Sequence, residues 1–169
     1  MTEILFLADR PEALPRIARW YFDAWGHTIL NNSVEKTCER IREKLNRNKP
    51  PLTLIAVERE RVVGAAQLKI GEMNIYPERR YWIGGVFVDP HVRGVGVGSA
   101  LVMRLSDIAR SMHIKKLHLQ TEQLDGGLYT RLGWKAVEKV RYQGVYVLVM
   151  ERYLLRRRSA RVRPNDVIH

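Results

Sequence analysis

The chemistry-bearing stretch of this chain is Arg93-Gly94-Val95-Gly96-Val97-Gly98-Ser99, three glycines at alternate positions behind an arginine. Glycines spaced this way let backbone N–H groups approach a ligand without side-chain obstruction. After it, Leu101, Val102, Leu105, Ile108 and Ala109 recur at helical spacing, so the turn opens a helix. A helix N-terminus carries unsatisfied N–H groups and partial positive charge, which makes this a candidate anion site suited to a pyrophosphate, plain loop punctuation being the other reading of the glycines. The spacing separates the nucleotide-binding schemes. A phosphate loop of the Walker type needs Gly-Lys-Ser/Thr, and Gly98 is followed by Ser99 with no lysine. A dinucleotide fingerprint, G-x-G-x-x-G/A, would place Ser99 or Leu101 at its last position. What fits is R-x-x-G-x-G, preceded by V-x-P at Val88 to Pro90.

A second segment stands about thirty residues further on. It is Tyr129-Thr130-Arg131-Leu132-Gly133-Trp134, of the form Y-x-x-L-G-W. Together the two motifs resemble the acetyl-coenzyme A loop and the following tyrosine segment of the GCN5-related N-acetyltransferases (GNAT family). The resemblance covers roughly residues 3 to 153 and is closest to bacterial members of unassigned substrate. It implies an acetyl-CoA-dependent N-acetyltransferase that moves an acetyl group to a primary amine by direct attack. The acceptor would be a small molecule or a peptide or protein terminus. As the resemblance has it, the backbone of Val86, Phe87 and Val88 holds the acetyl carbonyl and pantetheine arm. Arg93, Gly94, Val95, Gly96, Val97, Gly98 and Ser99 surround the pyrophosphate.

Tyr129 matches the tyrosine that protonates the departing thiolate, and a phenol of pKa near 10 suits that task. Packing alone is the other reading of Tyr129. Family members often carry a glutamate on the central strand, and Tyr81 to Val88 contains no carboxylate. Glu122 and His118 are the candidate bases, acting directly or through water. Glu122 stands where many relatives have a cofactor-bonding asparagine, which leaves it without an inherited role. Acceptor contacts are expected from Trp25 and His27, between the first two helices, and from Tyr142 in the last turn. No metal is implied.

The elements that must position these groups are legible in order. Glu3 to Ala8 reads as a strand, and Pro11 to Trp25 as a helix with Asp9 as its cap. Ser33 starts a second helix running to about Asn48. Leu52 to Val57 and Val62 to Ile70 form a hairpin, and Gly71 to Arg80 is a polar connection. The central strand, Tyr81 to Val88, contains Gly84-Gly85, which signals a bulge, a close backbone approach or a plain turn. The resemblance implies the bulge, with the strand splayed from its neighbour. Lys116 to Gln120 is a strand, Asp125 to Leu132 a short helix, and Trp134 to Val140 and Val145 to Tyr153 the final strands. The implied fold is α/β, a mixed, mostly antiparallel sheet of about seven strands flanked by helices.

Residues 1–154 read as a single domain, and 155–169 as a basic, poorly ordered tail. Five arginines against Asp166 alone give that tail +4 of the net +11. The remaining charge is spread over the body, which has no paired Cys/His ligands and no RNP-like strand. A solvated basic surface is therefore favoured over nucleic-acid binding. A basic nucleic-acid-binding protein and a non-catalytic acyl-CoA sensor remain the alternative classes. One cysteine, Cys38, excludes an internal disulfide. No leader peptide or membrane span is expected, so the expectation is a cytoplasmic protein, with a homodimer as one arrangement open to it.

Overall fold

The computed structural model describes residues 1–155 of the chain. The basic tail expected after them falls outside the described residues, Leu155 excepted. The strands are β1 (Glu3–Phe6), β2 (Leu52–Glu58), β3 (Arg61–Ile70), β4 (Tyr81–Val88), β5 (Lys116–Thr121), β6 (Lys135–Tyr142) and β7 (Val145–Tyr153). The helices are α1 (Leu14–Trp25), α2 (Val34–Arg42), α3 (Val97–Ser111) and α4 (Gly127–Arg131). All seven strands form one sheet in the order β1-β2-β3-β4-β5-β7-β6. Every neighbouring pair is antiparallel except β4 and β5, which run parallel.

Alternation along the strands divides the core between two sheet faces. Ile83, Leu117 and Leu119 pack on one face beneath α3, whose Leu101, Val102, Leu105 and Ile108 point into the sheet. On the other face, α1 and α2 cover Ile55, Val57 and Ala65 through Leu14, Ile17, Ala18 and Ile41. Further along that face, Met73 from the β3–β4 connection joins Trp82, Val147 and Val149. Gly64 sets how near α3 comes to β3. A Cβ there would lie 3.1 Å from Leu101 Cδ1, Val97 Cγ1 and the Phe87 carbonyl oxygen.

Two features of β4 shape the site. Gln67 pairs with Gly84 and Ala65 with Phe87, so Gly85 and Val86 together stand opposite Ala66. Gly84-Gly85 is therefore a bulge within a continuous strand, with Gly85 in the left-handed region at φ +57°. On its other side, β4 is registered with β5 only at Trp82 and His118. Beyond that pair the two strands separate.

Some boundaries differ from the sequence expectation. β1 stops at Phe6, and Asp9 does not cap α1; it accepts from Arg47 Nε at 2.7 Å instead. Ser33 does cap α2, accepting from the Lys36 N–H at 3.1 Å. That helix stops at Arg42, short of the expected Asn48, because the chain turns to meet the sheet edge. Leu45 bridges to Leu52, Thr53 Oγ1 donates to the Lys44 carbonyl at 3.2 Å, and Asn46 bonds the Pro51 carbonyl. These contacts satisfy backbone groups that another helical turn would otherwise have used.

Asp89, at the end of β4, is the buried charge of the fold, its side chain only 6% exposed. It accepts from the His91 N–H at 3.0 Å and pairs with Arg16 at 3.0 Å and Arg61 at 3.3 Å. The His91 amide, then the two guanidinium groups, hold its carboxyl below the usual carboxylate range. A depressed folded pKa stabilises the protein above the unfolded value near 3.9, and the effect fades as pH falls through the folded value. Both arginines are partly exposed, so Asp89→Ala is expected to cost roughly 1–2 kcal/mol at pH 7. Urea unfolding at pH 7 and pH 3 checks this: the gap from wild type should shrink at the lower pH.

Candidate active site

β4 delivers the chain to the glycine loop through a short helical turn at Pro90–Val92, capped by Asp89. Gly94 and Gly96 then both take φ +86°, a conformation costly for residues with a Cβ. Gly96 is the N-cap of α3, and no side chain caps the helix. Among the described residues, no backbone carbonyl accepts from the amides of Gly94 to Ser99. Val97 is buried in the core while its neighbours Val95 and Gly96 are exposed. The loop is thus pinned from below and presents unpaired donors above. Arg93 donates Nε to the Val88 carbonyl at 2.9 Å and lies 5.5 Å from the Phe87 ring centre. This side chain is tethered to β4 with its remaining N–H groups available at the loop.

Tyr129 is carried on α4, which packs against the same loop. That helix closes with Gly133 at φ +87°, the Trp134 N–H bonding the Tyr129 carbonyl and the Gly133 N–H bonding Thr130. This cap turns Trp134 under the tyrosine, the rings meeting edge-on at 6.3 Å. Leu128 anchors the helix against the loop: a Cβ on Gly98 would sit 3.4 Å from Leu128 Cδ2 and 3.6 Å from Val88 Cγ2. The α3 N-terminus, the end of β4 and α4 therefore converge. Burial disfavours the phenolate and pushes the Tyr129 pKa up to about 12, so the group stays a protonated donor at physiological pH.

The remaining residues expected from sequence are distributed around the parting of β4 and β5. Val86, Phe87 and Val88 line the β4 side of the gap, all half-buried. Phe87 stacks on Trp20 at 5.1 Å and meets Trp25 edge-on at 6.1 Å. Trp25 is 40% exposed there, and His27 follows it in an exposed turn. Tyr142 stands on the opposite side of the gap, at the end of β6, with its hydroxyl 3.4 Å from Asn74 Oδ1. Glu122 is exposed, one residue beyond β5. His118 is buried at the last β4–β5 pair, 5.3 Å from the Trp82 ring and 3.7 Å from Glu151. Desolvation lowers its pKa, and neither ring nitrogen has a hydrogen-bond partner.

Two groups at the gap had no sequence signal of their own. Tyr21, which helical spacing places simply on the apolar face of α1, donates its hydroxyl to the Gly85 carbonyl at 2.5 Å. Burial drives its pKa upward, so it is a permanent donor to the bulge. Glu72, in the polar β3–β4 connection, lies over the β4 backbone. Its Oε2 sits 2.8 Å from where a Cβ on Gly84 would be, and Gln120 Nε2 approaches Oε1 at 3.4 Å. The absent side chain at Gly84 was the one available clue. Any larger residue there would displace this carboxylate.

Comparison with known proteins agrees with this geometry. Residues 14–134 match the model of the acetyltransferase (GNAT) family. Glucosamine 6-phosphate N-acetyltransferase of Trypanosoma brucei brucei is 38% identical over 80 residues, 47% of this chain. The chain spans 54% of the length of that relative. Among solved structures, yncA of Salmonella typhimurium with its cofactor acetyl-CoA superposes with a TM-score of 0.71 at 18% identity. It covers 94% of this chain and 96% of that one. Ribosomal-protein-alanine N-acetyltransferase of Brucella melitensis gives a TM-score of 0.69 at 21% identity, covering 91% of this chain and 99% of that one. With the family model spanning residues 14–134, most of the described fold, the chain belongs to the GNAT acetyltransferase family.

Proposed function

We propose that the protein is an acetyl-CoA-dependent N-acetyltransferase acting on a primary amine by direct attack. One observation supports this reading: the amides of Gly94 to Ser99 are unpaired at the end of β4, the strand that parts from β5, and α4, which carries Tyr129, packs against Gly98 through Leu128. Acetyl-CoA suits both parts. Its pyrophosphate takes the loop amides and the α3 dipole, and its extended arm takes the place of the missing β5 pairing along Val86 to Val88. When bound it supplies an acetyl thioester, whose carbonyl carbon is the electrophile.

The chain's own residues then have distinct tasks. Backbone N–H groups of the bulged strand are available to polarise the thioester oxygen as it gains charge. Tyr21 fixes the bulge through the Gly85 carbonyl, so those donors are pre-set rather than mobile. Tyr129 holds a proton for the leaving sulfur, and burial keeps that proton in place until a thiolate develops nearby. Trp20, Trp25 and Phe87 form an aromatic wall beside the gap. The trypanosomal relative's name points to an amino-sugar phosphate, but it aligns with only part of either chain. The acceptor is accordingly a primary amine of a small molecule or of a peptide or protein terminus.

Calorimetry with acetyl-CoA should show about one site per chain with micromolar affinity, about −8 kcal/mol. Gly96→Asp places a side chain in left-handed backbone and a negative charge against the pyrophosphate. It is expected to weaken that affinity at least tenfold, about 1.4 kcal/mol. Unchanged binding in a folded variant would remove the loop from the site. Salt-sensitive DNA binding without acetyl-CoA binding would instead support a nucleic-acid protein.

Tyr129→Phe separates chemistry from binding, since it keeps the ring against Trp134 and deletes only the hydroxyl. Turnover should fall by roughly 10²–10⁴-fold while acetyl-CoA affinity stays nearly constant. A variant turning over like wild type with chemistry rate-limiting would make Tyr129 a packing residue.

A further inference from the structure

On the sheet face opposite α3, a cleft of about 190 Å³ lies between Lys44, Pro51, Lys69, Ile70, Gly71 and Glu72. It adjoins the bulge through Gly84: a Cβ there would meet Glu72 Oε2 at 2.8 Å and Lys69 Nζ at 3.2 Å. Lys69 Nζ lies 3.0 Å from Glu72 Oε2, close enough for an ion pair but misaligned for a hydrogen bond. Glu72 Oε2 is therefore a buried oxygen whose charge is met by Lys69 but which accepts no directed hydrogen bond. Such an atom is expensive to leave unsatisfied unless a ligand supplies the donor.

The charge balance of the cleft is uneven. Two ammonium groups, Lys44 and Lys69, face one carboxylate, and no carboxylate lies within salt-bridge distance of Lys44 among the described residues. Burial first, and then repulsion from Lys69, makes the Lys44 ammonium less stable than in water. Against these, Glu72 favours the Lys44 ammonium, while Arg40 disfavours it and Glu43 favours it more weakly. An amine that arrived as a bare cation would add a third positive charge to this site. An acceptor carrying its own anion brings compensation for Lys44 along with an ammonium for Glu72.

Building on the acetyl-transfer reading, we propose that this cleft is the acceptor site and that its substrate is a primary amine bearing a carboxylate or phosphate. Its ammonium is received by Glu72 and its anion by Lys44. The geometry serves the reaction, because the amine approaches β4 from the face opposite the phosphate-binding helix. Glu72 takes one proton from the ammonium and passes it to water. The freed amine nitrogen bonds the thioester carbonyl carbon, and the carbon–sulfur bond breaks. Sulfur takes the Tyr129 proton, and the second proton leaving nitrogen restores the phenol. The products are an amide, a thiol and one proton in solution. Lys69 and Gln120 are positioning residues that hold the carboxylate over Gly84.

Glu122 and His118 differ from Glu72 in where they sit. Glu122 is solvent-exposed beyond β5, and His118 is enclosed by Trp82 and Glu151. Glu72 lies directly over the strand that would hold the thioester.

The test uses matched acceptor pairs with the full-length protein: an amino-sugar phosphate against its parent amino sugar, and an ω-amino acid against its amide. The anionic member should have the higher kcat/KM by at least about tenfold, one well-placed charge contact. Whichever pair shows the larger ratio identifies phosphate or carboxylate as the preferred anion. In Lys44→Gln that ratio should fall to within about threefold. Glu72→Gln should lower kcat by about 10²-fold or more, with acetyl-CoA affinity by calorimetry unchanged. Glu72→Asp, which keeps the carboxylate, should recover part of the loss, and thermal unfolding confirms that each variant is folded. Equal or better use of the neutral amines, an unchanged ratio in Lys44→Gln, or wild-type turnover in Glu72→Gln would each overturn the assignment. Preference for an uncharged peptide terminus would do the same. A wild-type protein that fails to bind acetyl-CoA defeats the acetyl-transfer reading itself, a result distinct from these.

Discussion

The site depends on β4 giving up its ladder with β5 after a single registered pair. Unpaired backbone groups in a sheet interior are costly, so a strand does not part from its neighbour without compensation. Here the bulge at Gly85-Val86 rotates part of β4 out of register, and Tyr21 takes over the Gly85 carbonyl. β5 meanwhile keeps a full antiparallel partner in β7, from Lys116 to Thr121. The opening is thus built into one strand while the sheet on either side stays continuous. A ligand that supplies hydrogen bonds along β4 completes what the sheet leaves undone.

The glycine loop obeys a related constraint. Its donors must point outward while the helix they open is locked into the core, and Val97 and Leu101 do the locking. Gly64 allows α3 to come within van der Waals reach of β3, so the helix N-terminus cannot drift from the end of β4. Asp89 reinforces the corner by tying β4 to α1 through Arg16 and to β3 through Arg61. Each of these contacts acts on position more than on affinity. Unpaired amides in this loop can act together with the β4 gap only if their register with it is fixed.

Most of the fold was readable from the chain because its signals are local. Strand alternation, the glycines at 94, 96 and 98, and the Gly133 cap each depend on a few neighbouring residues, and their order specifies the sheet. The ends of elements were less legible. α2 stops at Arg42 because Leu45, Asn46 and Lys44 find partners on the sheet edge, contacts that no helical pattern foretells. The glycine turn that opens α3 was legible for the same reason the fold was. Glu72 was not, since it lies in a stretch without periodicity and meets Gln120 across 48 positions of sequence. Tyr21 shows the same limit: spacing placed it on an apolar face, and only the fold reveals a hydroxyl bonded to Gly85.

The pairing of Gly84 with Glu72 has a physical logic beyond this reaction. A carboxylate carried on β4 itself would need a side chain rising from the strand and would be held by that strand's own geometry. Here the strand carries hydrogen in place of a side chain, and the carboxylate descends from the connecting segment. Its position is then set by Lys69 on β3 and Gln120 on β5, the strands on either side of β4. Because β5 diverges from β4 at this point, the Gln120 contact at 3.4 Å is sensitive to how far the gap opens. Filling the gap and placing the carboxylate are therefore linked through one side chain.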